Sequence, residues 1–594
     1  MIAALRRPEA ASRIALLCFG FTPARRGKQP WNTVDALARA LASEGHRVHL
    51  FTDGAPAHRS AAYETHRLPV LLCRGRLAPD LRREIEDLAP ARLYLLGGLT
   101  ELARLRPLDA PCPVSYLLAS PRPRPGEVLT VPPAAWRWER RALVAALAGA
   151  LLPAAWLARR CARAGIDEII YFSPETRFRL WYAGLPWGPL LLPASTLALL
   201  PARASGPLVI TYYGPPLYLR GADLVLRSFE EAVSRGFAGR LQLLLRPDDP
   251  ETLAAFLRRV ERSPARARIE VVARTLEPAA LQGRLAATSV FLLPFRLPVS
   301  EAPLVLFEAA ATGRPVVVLD RPGIGALARA LGLTVVAREA QLADALRKAL
   351  RAPAGCRPPT AARRWSAARM LPPCPEPPRW VWVGLCGLDG VGKTTLLERL
   401  EEELRAAGFE SRRRWSRYRN YLSKPLLALL RLTGHSRLER HAGIPVRVRD
   451  LRHPLRGWPF LILQALDQLI EMRFRYRARG RILLLDRCLF DTLVDLAVET
   501  GRERFVLERL APLLYRFAPR PHLAVLIERG EPEVRASRPD AADDPDRLRR
   551  RRLYRELAQR FALPVVANDG TLETALHRIT SLLGLADDLR VLQQ

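Results

Sequence analysis

The stretch GLDGVGKTT, Gly387–Thr395, constrains this chain more than any other. It follows an apolar run, WVWVGLC, and opens a run of helical character, LLERLEEELRAAG. A strand that turns through glycines into a helix leaves backbone N–H groups facing inward. The helix adds its positive end, so the turn is a cradle for an anion, a phosphate above all. The spacing Gly387-x4-Gly392-Lys393-Thr394 supplies a compact charge from Lys393 and a hydroxyl from Thr394 suited to Mg²⁺. Asp389, Gly390 and Thr395 complete the candidate nucleotide-binding loop. At this chain's own residue frequencies the pattern arises by chance in roughly one such chain per thousand. A plain glycine turn is therefore a poor account of it.

Two further elements follow at suitable distances. RILLLDRCLFDTLVD reads as an apolar strand ending at Asp486-Arg487. In a parallel sheet such an end lies at the ligand crevice. There Asp486 would organise Mg²⁺, with Thr394, or accept a proton, and Arg487 would clamp a phosphate. A surface ion pair is the plainer reading of the same two residues. Next, HLAVLIE leads into a segment with Arg535 and Arg538 and an Asp/Pro-rich turn. That order suits a mobile lid closing over a transferred phosphoryl group, or else a solvated charged face.

At 594 residues the chain exceeds what one core supports, so several domains are expected. Its formal charge is +33, and only four of its 92 basic residues are lysines. The skew reads first as an Arg-rich composition and second as affinity for anionic lipid headgroups. No nucleic-acid-reading motif accompanies it, and no nucleic acid partner is expected. The eight cysteines show no C-x-x-C pair or Cys/His cluster, which implies neither disulfides nor zinc. The N-terminus lacks signal-peptide order. A cytoplasmic protein is expected, with a peripheral place at the inner membrane face as an extension of that reading. The uncharged, Ala-rich run Ala142–Ala158 is short for a membrane span and is expected as one buried or interface-lying helix.

Three α/β blocks are visible. RIALLCF, WNTVDALARALASEG and HRVHLFTD form a βαβ unit, and short apolar strands resume at GPLVITYYG. They continue through LQLLLR, RIEVVA, VFLLPF and PVVVLD, as in a parallel sheet covered on both faces. LPPCPEPPR, with five prolines, reads as a stiff linker. The expected layout is 1–200, 201–370, a linker at 371–379, and 380–594.

Taken together, the P-loop, the helix ALDQLIEMRFRYRARG, Asp486-Arg487, the lid arginines and PVVANDG make 380–594 resemble the thymidylate kinase family. The resemblance implies ATP and Mg²⁺ and a kinase acting on a nucleoside monophosphate or related phosphorylated acceptor. It implies that Asp389 contacts the acceptor's sugar hydroxyl and that Arg535 and Arg538 are catalytic. It places Asn568 and Asp569 in the loop that seats adenine. RRRWSRYRNYLSK stands where that family has Arg-Glu-Pro-Gly. Trp415, Arg417, Tyr418, Arg419 and Tyr421 either stack on and bind an anionic acceptor or form a basic amphipathic face.

Residues 13–370 resemble GT-B glycosyltransferases of the large retaining family 4. The likeness rests on GKQPWNTVDALARALASEGHRVHLFTD, YYGPPLYLRGADLVLRSFEEA and VFLLPFRLPVSEAPLVLFEAAATGRPVVVLD. ARRWSAARM resembles the closing helix that crosses back to the first domain. This resemblance implies two Rossmann-like domains and a nucleotide-sugar donor, with Glu308 on its ribose and Arg220 on its phosphates. Glu301 is the acid nearest the family's second glutamate, and His46, His49, His58 and His66 read as strand-edge or surface residues. The alternatives are a non-catalytic GT-B module regulated by nucleotide binding, and a kinase acting on a sugar or lipid intermediate of glycan assembly.

Overall fold

The computed structural model describes residues 12–22, 25–54, 62–193, 206–246, 249–298, 301–351, 369–371, 382–416, 420–441, 444–449, 451–476, 480–520, 522–537 and 544–585. The chain divides into two units, essentially Met1–Cys374 and Pro375–Arg590, the latter without Ala406–Gly408.

The first unit holds two sheets. One has eight strands in the order Arg369–Leu371, Leu190–Leu192, Glu168–Tyr171, Val114–Leu118, Arg92–Gly97, Arg13–Leu17, Arg47–Thr52, Glu64–Arg67. All neighbours are parallel except the first pair. The chain therefore returns to this sheet after completing the second, and Leu371 belongs to a strand rather than to the linker. Residues 372–379 and most of ARRWSAARM lie outside the described residues. The second sheet has six parallel strands: Ile269–Val272, Arg240–Leu245, Val209–Gly214, Val290–Leu293, Val316–Leu319, Thr334–Val336. Numbered in chain order that is 3-2-1-4-5-6, the doubly wound order with a crevice beside its first strand. Its strands are apolar on both faces because helices cover both, so nearly every residue from Leu241 to Leu245 and from Val316 to Leu319 is buried.

Ala142–Ala158 is not one helix. It is split between Arg140–Leu151 and Ala154–Ala164, which meet at 86°. Pro153 lacks the N–H that would continue the first helix, and its ring restricts the preceding residue, so the chain turns there. Among the described residues no single helix is long and apolar enough to cross a membrane.

The second unit carries a five-stranded parallel sheet in the order Ser411–Trp415, Ile482–Asp486, Trp382–Cys386, His522–Glu528, Val565–Ala567. The central strand Trp382–Cys386 is wholly buried. Trp382 anchors it, stacked on His522 at 4.6 Å and donating its indole N–H to the carbonyl of Pro519. Strand order reverses at this strand, so its C-terminal end opens into a crevice, and the glycine loop begins there.

Candidate functional site

Gly387 follows Cys386 directly, and the helix Lys393–Ala406 follows the loop. Two loop glycines are required by geometry. Gly387 has φ +138° and a Cβ there would collide with the carbonyl of Ile527, while Gly392 has φ +90° and a Cβ would meet Asn568 Nδ2 at 2.6 Å. Lys393 is buried, and its ammonium donates to the carbonyls of Gly387 and Leu388 at 2.7 Å each. Burial lowers its pKa, and the charge of Asp491 is the largest opposing influence. Thr394 donates its hydroxyl to Asp486 Oδ2 at 2.7 Å. Arg487 adopts φ +70°, uncommon for a residue with a side chain, and is ion-paired to Asp389 of the loop. Such a conformation costs on the order of 1 kcal/mol and persists where surrounding contacts hold it.

These groups line a pocket of about 420 Å³ formed by Asp389, Gly390, Gly392, Lys393, Thr394, Thr395, Trp415, Asp486, Arg487 and Arg529. Its polar lining of backbone N–H groups, one lysine and two arginines can receive a polyanion. Thr394 and Asp486 together present the hard oxygen donors that Mg²⁺ takes. Gly387, in contrast, lies behind the pocket, where its N–H approaches Asp491.

Arg529, at the end of the strand His522–Glu528, was not anticipated from the sequence. Its position one residue past an apolar strand in a parallel sheet is the signal that could have found it. Asp491 was also missed. It is fully buried, takes hydrogen bonds from Tyr554 Oη and the Cys488 amide, and faces the Gly387 amide at 3.4 Å. Burial raises its pKa against the pull of Lys393 and Arg487. Its burial among groups distant in sequence left no periodic trace.

The other expected site residues are placed as follows. Asn568 is buried and donates Nδ2 to the carbonyl of Val391 at 2.8 Å, bracing the loop, while Asp569 accepts from the Gly530 amide. Asp389 is engaged by Arg487, and Lys393 Nζ lies 4.0 Å away. Arg535 lies exposed on Glu531–Ser537 and is not among the pocket-lining residues; Arg538 is outside the described residues. In the aromatic-basic segment Trp415 lines the pocket, but Tyr421 donates its hydroxyl to Glu471. Arg413 pairs with Glu398, and Arg414 donates to the carbonyl of Arg475. Arg417, Tyr418 and Arg419 lie outside the described residues. The segment is pinned by the long helix Pro454–Arg475, whose buried Asp467 accepts from the amides of Leu422 and Ser423 and from the Ser423 hydroxyl.

In the first unit, Arg220 follows the strand Val209–Gly214. Its Nη1 is 3.4 Å from where a Gly214 Cβ would stand, and its guanidinium lies over Phe295. Glu308 is buried on the helix Leu304–Ala311 and hydrogen-bonded to Tyr213, whose hydroxyl is shifted upward by burial and then by Glu308. Arg220, Tyr213 and Glu308 thus gather at one strand end. Glu301 does not join them. Its amide donates to the carbonyl of Ala119, and its carboxyl accepts from Thr176, both past the C-terminal ends of first-sheet strands. Burial pushes Glu301 up to about 7, with Glu175 adding to the rise. Glu175, also buried, accepts from the Ala326 amide at 2.9 Å.

Residues 207–352 match the family model for glycosyl transferases group 1. This stretch is the second sheet with its helices, about a quarter of the chain. No curated protein matches the chain. Similar solved structures include sucrose-phosphate synthase from Thermosynechococcus elongatus, at 18% identity over 60% of this chain and 95% of that one, TM-score 0.43. They also include WaaG, a glycosyltransferase involved in lipopolysaccharide biosynthesis, at 16% over 59% and 95%, TM-score 0.39. Anabaena HepE in complex with UDP-glucose is similar at 12% over 60% and 96%, TM-score 0.41.

Proposed function

We propose that the second unit is an ATP- and Mg²⁺-dependent phosphotransferase of thymidylate kinase type, and that the first is a glycosyltransferase using a nucleotide-sugar donor. The observation that carries the kinase reading is the convergence of Lys393, Thr394–Asp486, Arg487 and Arg529 on one glycine-walled pocket. Phosphoryl transfer asks a protein for position and charge neutralisation more than for covalent chemistry. Gly390, Gly392 and Lys393 would hold the β- and γ-phosphates. Thr394 and Asp486 would hold Mg²⁺, which supplies charge neutralisation when bound. Arg487 and Arg529 would face the acceptor side as bidentate donors, which suits an anionic, phosphorylated acceptor better than a neutral sugar. Releasing Lys393 from the two loop carbonyls would accompany binding, since its donors serve either those oxygens or a phosphate.

For the first unit the match over 207–352 supports sugar transfer from a nucleotide donor, with Arg220 toward the phosphates and Glu308 toward the ribose. A second reading is favoured by two observations: Glu308 is engaged by Tyr213, and Glu301 is buried against Thr176. On that reading the first unit binds without turning over, and nucleotide binding in the second regulates it. We place the protein in the cytoplasm.

The deciding experiment is ADP release with nucleoside monophosphates, sugars and polyprenyl lipids as acceptors, together with calorimetric titration of UDP-sugars. Lys393→Met is expected to abolish ADP release and leave UDP-sugar binding unchanged. ATP turnover equal to wild type in Lys393→Met would overturn the kinase assignment, and UDP-sugar binding without transfer would favour the second reading.

A further inference from the structure

Histidines that read as unrelated in the sequence meet on the outer strands of the first sheet. Arg47–Thr52 and Glu64–Arg67 pair in parallel with His49 opposite Glu64 and Phe51 opposite His66. Side chains alternate along each strand, so this register puts His49, Glu64 and His66 on one face. His49 Nδ1 lies 3.0 Å from His66 Nε2 and 3.7 Å from Glu64 Oε2, and the three donor atoms all fall within 4.8 Å of one another. The His66 ring lies on Phe51 at 4.7 Å and 21°, which fixes where its nitrogen points.

A histidine–histidine hydrogen bond accounts for the 3.0 Å contact but gives the half-exposed Glu64 carboxylate beside it no protein donor at hydrogen-bond distance from His49. One Nδ1 faces both an imidazole nitrogen and a carboxylate oxygen, and a single N–H serves only one of them. A cation placed among the three serves all. We propose that His49, Glu64 and His66 form a binding site for a divalent transition-metal ion of the Zn²⁺ class, with a fourth position open to water.

Two imidazoles and one carboxylate are a zinc set, whereas Mg²⁺ and Ca²⁺ ask for oxygen donors. Donors bound tetrahedrally at zinc distances stand about 3.3–3.6 Å apart, and the two short separations here straddle that value. Histidine ligates as the neutral base. Arg13 and Arg47 stand close enough to act on the charge of His49. Those two arginines also oppose a cation, but Arg13 is turned to the carbonyl of Leu88, and Glu64 brings the compensating charge. The ion would tie the four-residue edge strand Glu64–Arg67 to its neighbour, so its role is structural.

The test uses the full chain without an affinity tag, titrated calorimetrically with Zn²⁺ and, separately, with Co²⁺ followed by visible absorption. One ion is expected to bind at this site. Co²⁺ should show the intense ligand-field bands of tetrahedral coordination, and affinity should fall more than about tenfold in His49→Ala and in His66→Ala. Thermal melts should show Zn²⁺ raising the midpoint of wild type and not of His66→Asn, a variant close in shape that guards against loss of fold. Absence of tetrahedral Co²⁺ bands in wild type would overturn the proposal without recourse to any variant. So would binding that is unchanged in the His49→Ala/His66→Ala double variant, since the ion would then sit elsewhere.

Discussion

Thr394 and Asp486 are 92 positions apart, yet the Thr394 hydroxyl donates to Asp486 Oδ2 at 2.7 Å. The contact exists because Trp382–Cys386 and Ile482–Asp486 are parallel neighbours in register, Leu385 opposite Asp486. Both strands therefore end at the same edge, and the helix that starts at Lys393 brings Thr394 over it. One bond links the two oxygen donors proposed above to hold Mg²⁺.

Asp486→Asn and Thr394→Val are each expected to lower Mg²⁺-dependent ATP turnover by about a hundredfold or more, because each removes an oxygen suited to the ion. Affinity for ATP in EDTA should stay within a few fold, since the loop amides and Lys393 are untouched. Parallel turnover assays and nucleotide titrations check this. A variant that loses metal-free binding as strongly as turnover would show that the residue holds the loop rather than the ion.

Gly392→Ala is expected to weaken nucleotide binding and to lower stability by about 1 kcal/mol or more. The new Cβ meets Asn568 Nδ2, and φ +90° is unfavourable for any side chain. Asn568→Ala should relieve the collision but not the backbone strain, so the double variant should recover part of the loss. Denaturant unfolding of the two singles and the double gives the coupling. Strict additivity would mean that the amide and the loop do not press on one another.

Glu301 gives a pH dependence with a definite sign. Burial holds its native pKa near 7, against 4.5 for the free side chain. Between those values the native state keeps a proton that the unfolded chain has released. Stability therefore falls as pH rises through that window, and above it the full penalty, on the order of 3 kcal/mol, is in force. Glu301→Gln keeps an acceptor for Thr176 and carries no charge. It is expected to be more stable than wild type at pH 8 and to lose that advantage as pH falls toward 5. Chemical denaturation of both proteins across this range measures it, and a difference independent of pH would exclude buried ionisation as the cause.

The alternation of short apolar strands with helical runs, read one residue after another, already specified parallel α/β sheets. The period of apolar residues is a local property, and burial on both faces leaves it uninterrupted. GLDGVGKTT was legible for the same reason: backbone conformation at Gly387 and Gly392 and the start of a helix at Lys393 are decided within nine residues. Tertiary structure alone decided what surrounds that loop. Asp491 and Arg529 reach it from two other elements, Tyr554 holds Asp491 from a third, and Asn568 donates to the carbonyl of Val391 within the loop. It likewise separated Glu301 from Glu308, seven residues on, by anchoring one on Thr176 and the other at Tyr213. Strand register then joined His49 to His66. Sequence spacing cannot encode such meetings, because the partners are chosen by which strand ends lie side by side, and that choice is made by the packing of the whole sheet.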